Sequence, residues 1–243
     1  MVSTVPSLLA TSLLLVVALM AAALECPCSW RDDNNSWDCV KDGVASVPTT
    51  CWPLHANVDK ILLRNPIREV YSGDFDHENL RNLTKLQMQN VDKIADDALR
   101  GLTALRYLDL SGGNLQHLPD LSTLAEVVAL EAGGNLLVEA PSLAHMKNLD
   151  LVSLFNNRIQ FVPDDFLPAS PYPIGMTMIR NNFTELNAAS IVNAAAKSSF
   201  VFDDLQYMWA TLEERDAILE KEFYCNIDLE SIIKVIDDPT NPK

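Results

Sequence analysis

Between residues 149 and 166 the apolar side chains fall at Leu149, Val152, Leu154, Ile159, Val162 and Phe166. Neither a strand's alternation nor a helix's period produces that spacing. It predicts a short strand with alternate side chains buried, a corner at Asn157, and a return ending in Val162-Pro163 and Phe166. The rhythm recurs. Val127, Leu130, Ala132, Asn135, Leu137 and Ala140-Pro141 repeat it upstream, and Met176, Met178, Asn181, Phe183 and Leu186 repeat it downstream, with Pro173 at the first position. Leu105, Leu108, Leu110 and Leu115 fit with Gly113 at the corner, Leu83, Leu86 and Met88 lead to Val91, and Val58, Ile61 and Leu63 lead to Pro66. The last apolar residue of each strand falls at positions 63, 88, 110, 132, 154 and 178, intervals of 22 to 25 residues. Units of that length stack, because one alone cannot bury its apolar row.

Recurring six times, the pattern L-x-x-L-x-L-x-x-N-x-L resembles that of extracellular leucine-rich-repeat proteins over roughly residues 26 to 186. The resemblance implies an α/β solenoid, a curved stack with parallel strands on its inner face, behind a cysteine-rich amino-terminal cap. The expected organisation is a signal peptide over 1–23, the cap over 24–56, about six repeats over 57–186, and a helical, acidic C-terminal cap or docking segment over 187–243. The corner amides of Asn135, Asn157 and Asn181 both donate and accept, so they can satisfy backbone groups where the chain leaves the sheet. Val91, Gly113 and Pro66 cannot, and the first three corners are predicted to be looser or differently shaped.

Composition adds a compartment. Residues 7–24 are apolar and uncharged and end in Ala21-Ala22-Ala23, which reads as a signal peptide cleaved near Ala23. No later segment has the length and apolarity to cross a membrane. In an oxidising compartment Cys26, Cys28, Cys39 and Cys51 are expected to form disulfides; Cys26 and Cys28 are too close to bridge each other easily, and sequence alone does not choose among the connectivities. The cluster resembles the family's amino-terminal cap, Cys39 leading into "CVKDGVASVP", whereas the carboxy-terminal cysteine cap is missing. Cys225 is left over, either an intermolecular bridge or a buried thiol. Asn34, Asn82 and Asn182 open glycosylation triplets. The net charge of −15 argues against nucleic acid and anionic membrane as partners.

Candidates for function lie at positions the scaffold leaves free. Strand side chains that alternate with the buried ones line the inner face, and their lining up gives a graded surface. It is basic at the first copies (Lys60, Arg64, Lys85, Gln87, Arg106), mixed in the middle (Tyr107, Asp109, Ser111, Glu131, Gly133, Asp150) and apolar at the last (Leu151, Phe155, Ile174, Ile179), ending at Arg180. The expected partner-binding set is Lys85, Arg106, Tyr107, Asp109, Glu131, Phe155, Ile179 and Arg180, with Phe155, Ile179 and Tyr107 as anchors. The competing expectation is that the C-terminal segment folds back over the apolar residues. That segment carries Leu205, Met208, Trp209, Leu212, Leu219 and Phe223 at helical spacing over 203–223, which suits a cap for the open solenoid end or a docking helix.

An enzyme is not expected. His55, His77, His117 and His145 belong to different repeats, and no nucleophile elbow, phosphate loop or H-E-x-x-H occurs. Asp109 and Glu131 are placed as neighbours on adjacent strands, but an open ribbon does not exclude water. No metal or cofactor is implied. The resemblance implies a secreted binding protein recognising a protein or glycan ligand or a microbial or cell-surface partner, as in innate immunity. The alternative is a non-catalytic subunit or matrix component in a constitutive complex, linked through Cys225 and the 203–223 helix.

Overall fold

A computed structural model of the chain describes residues 26–40, 44–183, 185–194, 198–202, 207–210, 212–224 and 233–235. The expected signal peptide and Cys225 lie outside them. Strands β1 (Ser29–Arg31), β2 (Ser36–Cys39), β3 (Lys60–Leu63), β4 (Ile67–Val70), β5 (Lys85–Met88), β6 (Val91–Ile94), β7 (Tyr107–Asp109), β8 (Ala129–Glu131), β9 (Leu151–Ser153) and β10 (Gly175–Thr177) come first. β11 (Glu185–Asn187), β12 (Ser199–Val201), β13 (Tyr207–Ala210), β14 (Glu222–Tyr224) and β15 (Ile233–Val235) follow. The main sheet runs β1-β2-β3-β5-β7-β8-β9-β10-β12-β14, parallel throughout except for the β1–β2 hairpin. This is the solenoid the spacing predicts.

Register explains the rhythm. Ile61, Leu86, Leu108, Leu130, Val152 and Met176 are consecutive partners across the strands, and all are buried. Burying one such side chain is worth about 2 kcal/mol, realised only when both neighbouring coils are present. Behind the strands the chain climbs through turns, with Leu83 N–H bonded to the Leu80 carbonyl at 3.0 Å and Leu105 N–H to that of Leu102 at 3.0 Å. Repeats this short return through turns instead of long helices.

Two devices make the corners. Asn135 accepts from Leu115 N–H at 3.1 Å and donates to the Leu110 and Ala132 carbonyls at 2.8 and 3.1 Å. Asn157 and Asn181 repeat this, accepting from Leu137 and Ile159 N–H at 3.1 and 3.0 Å. Each amide thus ties its own corner to the preceding coil. The second device is a left-handed residue two places after the last apolar residue of every strand but the first of the six: Asn90, Gly112, Gly134, Asn156 and Arg180, with φ of 60°, 76°, 69°, 53° and 57°. Glycine and asparagine adopt this backbone readily, whereas an arginine does so at a cost of about 1 kcal/mol.

The corners without asparagine are differently shaped, as predicted, but the third is tighter instead of looser. After the first two corners the chain forms β4 and β6, a small parallel sheet on the back of the solenoid. Val91 opens β6 and brings its backbone against Gly113, and Asn114 N–H donates to the Val91 carbonyl at 2.9 Å.

In the cap, Cys26 pairs with Cys51 and Cys28 with Cys39. These close loops of 25 and 11 residues' separation, for which chain entropy gives about 3.5 and about 2.8 kcal/mol respectively. Serine at both Cys26 and Cys51 is therefore expected to lower the urea midpoint more than serine at both Cys28 and Cys39. The reverse order would contradict this reading.

The C-terminal segment corrects the sequence expectation in part. Helix is present over Leu212–Leu219, with one further turn over Ala189–Val192. Where a single helix over 203–223 is expected, however, Tyr207–Ala210 is a strand paired on both sides, with β11 and β15. The "DLESIIKVIDD" stretch likewise contains β15. Cross-strand pairing on two sides outweighs the local helix propensity. Strands β12 and β14 extend the main sheet, so the described part of this segment adds coils to the stack and does not fold back over its face. No helix among the described residues is long and apolar enough to cross a membrane.

Candidate protein-binding face

The side chains flanking each buried strand residue form rows along the front of the main sheet. One row is Lys60, Lys85, Tyr107, Ala129, Leu151 and Gly175; the next is Leu62, Gln87, Asp109, Glu131, Ser153 and Thr177. Beyond each strand follow Gln89, Ser111, Gly133, Phe155 and Ile179.

The basic end holds Lys60, Lys85, Arg64 and Arg31, the two arginines around one buried carboxylate. Asp38, 5% exposed, takes Arg31 Nη2 at 2.7 Å and lies 3.8 Å from Arg64 Nε. Lys85 Nζ stands 4.1 Å above the Tyr107 ring, a cation–π contact.

At the centre Tyr107 donates its hydroxyl to Glu131 at 2.5 Å. Burial first, then the hydrogen bond to Glu131 and repulsion from its charge, pushes the phenol well above its ordinary value. The bond's contribution to stability is therefore held below the ordinary phenol pKa and lost as pH rises through the raised one. In an alkaline titration followed by phenolate absorbance, Tyr107→Phe is expected to remove a phenol that ionises above the ordinary range; an unchanged amplitude at high pH would contradict the assignment.

Asp109 departs from expectation. It is only 2% exposed. Its carboxylate accepts from Gln87 Nε2 at 2.9 Å, Gln89 Nε2 at 3.2 Å, and Ser111 N–H and Oγ at 2.9 and 2.5 Å. A carboxylate saturated in this way holds its neighbours and offers nothing to a partner. Asp109 and Glu131 are register partners as expected, yet each is committed to a different hydrogen bond, so they do not form a free acid–base pair.

At the far end Leu151 and Phe155 are 40% and 41% exposed. Phe155 lies flat on the neighbouring coil: a Cβ at Gly133 would come within 2.3 Å of its Cε1. That glycine is its seat. Leu151 only touches Gly175, its Cδ1 3.8 Å from where a Cβ would stand, an ordinary van der Waals contact. Ile179 is half-buried beside Phe155, and Arg180 is exposed. Ile174, expected on this face, is fully buried, because alternation puts it on the same inward side as Met176 and Met178 while Gly175 takes the outward position. Along the rim where the strands begin, a trough of about 500 Å³ is lined by Arg106, Val128, Asn148, Asp150, Tyr172 and Pro173. Tyr172, 61% exposed, forms one wall and was not legible as a site residue.

Of the glycosylation acceptors, Asn82 and Asn182 are exposed and Asn34 is half-buried. Ser36, the third residue of the Asn34 triplet, is buried in β2 and donates its hydroxyl to Asn34 Oδ1 at 2.5 Å.

No family model matches the chain. It is 31% identical to podocan of Mus musculus over 120 residues, 47% of this chain, and spans 18% of podocan's length. Among solved structures it is similar to the chain in the TLR13–ssRNA13 complex, with a TM-score of 0.53 and 15% identity over 80% of this chain and 35% of that one. It is also similar to human 5T4 (Wnt-activated inhibitory factor 1, trophoblast glycoprotein), with a TM-score of 0.49 and 17% identity over 86% and 89%. At these identities the structural likeness is one of fold.

Proposed function

We propose that this chain, a leucine-rich-repeat protein, is an exported, non-catalytic binding protein that grips a protein partner across the front of its parallel sheet. The observation that carries the reading is the pair of exposed apolar side chains, Leu151 and Phe155, the latter seated on Gly133, at the far end of the face from the charged positions. Exposed apolar groups on an otherwise polar sheet face mark an interaction surface. Rings held flat before a partner arrives lose little entropy on binding. Two cap disulfides support an oxidising, extracellular setting, and the chain is similar in sequence to podocan over 120 residues. The non-catalytic reading rests on the open face, which leaves Glu131 in contact with water.

The test is retention from the native fluid. Immobilised wild-type chain, a Phe155→Ala variant and a back-face variant, Phe161→Asp, are incubated with that fluid under non-reducing conditions. Proteins held by the wild type and the back-face variant but lost with Phe155→Ala are expected. Identical sets on all three would sink the reading. Phe155→Ala is expected to cost less than about 1 kcal/mol of stability, since the ring is half in water; a larger loss in a thermal melt would make Phe155 a structural residue.

A further inference from the structure

Resting on the front-face reading, we infer that the first coils receive the acidic end of an extended protein segment whose apolar residue then lands on Leu151 and Phe155. The chain as a whole carries a charge of −15, yet the outward strand positions of the first coils are mainly basic. Lys60 and Lys85 are direct partners on adjacent parallel strands, and like charges facing each other across a sheet are unfavourable unless something neutralises them. Lys60 has Asp59 3.7 Å away. Lys85 has only the Tyr107 ring, and among the described residues no carboxylate lies within ion-pair distance of it or of Arg106. Arg31 and Arg64 share the single carboxylate of Asp38 while remaining about half exposed. Three of these five basic side chains thus share two carboxylates within ion-pair distance, and Lys85 and Arg106 have none among the described residues. Asp32 and Asp33 sit on the turn between β1 and β2, where Asp32 is bonded by Trp30 Nε1 at 2.6 Å.

The other end of the face selects the class of partner. From Lys85 on β5 to Leu151 on β9 is three strand steps, about 14 Å, or roughly four residues of extended chain. A sulfated polysaccharide would satisfy the basic coils but has nothing to bury on Leu151 and the Gly133-seated ring of Phe155. A protein segment with a run of carboxylates and, about four residues on, a large apolar side chain satisfies both. Glu131, on β8 between the two ends, and Asp150, next to Leu151 at the apolar end, would repel a segment laid down in the opposite direction.

The probe is a dye-labelled peptide with three glutamates, a four-residue Gly/Ser spacer and a terminal Leu-Trp, titrated with the full chain by fluorescence anisotropy. Controls are the same peptide with glutamines for glutamates, and a heparin oligosaccharide. Binding is expected to weaken at least tenfold with the glutamine peptide, with the Lys60→Glu/Lys85→Glu chain, and on raising salt from about 0.05 to about 0.3 M; Phe155→Ala should weaken it about fivefold. Absence of peptide binding, or binding indifferent to the lysines, overturns the inference. Heparin binding that is tighter than the peptide's and indifferent to Phe155→Ala also overturns it. The two levels separate in the retention assay. If only the charge assignment is wrong, the double-lysine variant keeps the fluid partner that Phe155→Ala loses; if the front-face reading is wrong, neither variant changes what is retained.

Discussion

Placing asparagine at position 113, the residue the repeat pattern asks for, is expected to lower stability by about 3 kcal/mol instead of repairing the corner. A Cβ at Gly113 would stand 2.1 Å from the Val91 carbonyl oxygen, 2.8 Å from its nitrogen and 3.0 Å from Asn135 Oδ1. Two of these are backbone atoms at the start of β6, fixed by pairing with β4, and cannot rotate away. Gly113→Ala should therefore do nearly the same damage. Gly133→Ala is the control, because its clash is with the Phe155 ring. A half-exposed ring can swing out, so the expected cost there is below about 1 kcal/mol, while the seat of Phe155 is lost and partner retention falls. Urea midpoints of the three variants decide. A Gly113→Asn chain as stable as wild type would mean that the Val91 backbone does not occupy the place of the missing amide.

The second large effect is expected at Asn157. Alanine there leaves Leu137 N–H without its acceptor and takes donors from the Ala132, Leu154 and Phe155 carbonyls. A buried orphan donor costs about 1–3 kcal/mol, and the whole change about 3 kcal/mol. The carbonyls suffer less than the amide, since Ala132 O also accepts from Asn135 and Leu154 O from Asn181, at 3.1 and 3.0 Å. This sharing predicts coupling: the Asn135→Ala/Asn157→Ala double variant, which strips both donors from Ala132 O, should lose more than the sum of the singles. Asn114→Ala removes only an exposed bond to Asp92 and should cost almost nothing. Additive losses at 135 and 157 would show that the corner amides act independently.

The coil spacing was legible because it is dictated by burial: a row of side chains that must stack at fixed register leaves a periodic trace in any sequence that folds this way. The corner asparagines were legible for a related reason, since few side chains both donate and accept at a chain reversal. The left-handed residue of four corners left a trace too, Asn or Gly at a constant offset in Asn90, Gly112, Gly134 and Asn156. The site was harder to read. Alternation alone puts Asp109 forward beside Glu131, and only the convergence of Gln87, Gln89 and Ser111 removes it from solvent. Three partners from two coils cannot be seen in one coil's sequence. Ile174 was misplaced although it shares the alternation of Met176 and Met178, and it is buried with them. In the C-terminal segment, local helix propensity was legible and the pairing that overrides it was not.

The most direct test of a front face that grips a partner is hydrogen–deuterium exchange of the full chain, free and bound to the protein retained from native fluid. Slowed exchange is predicted in peptides spanning 60–64, 85–89, 107–111 and 151–155, with those spanning 92–97, 114–119 and 138–142 on the back unchanged. Protection confined to the back, or none on the front, would contradict the account.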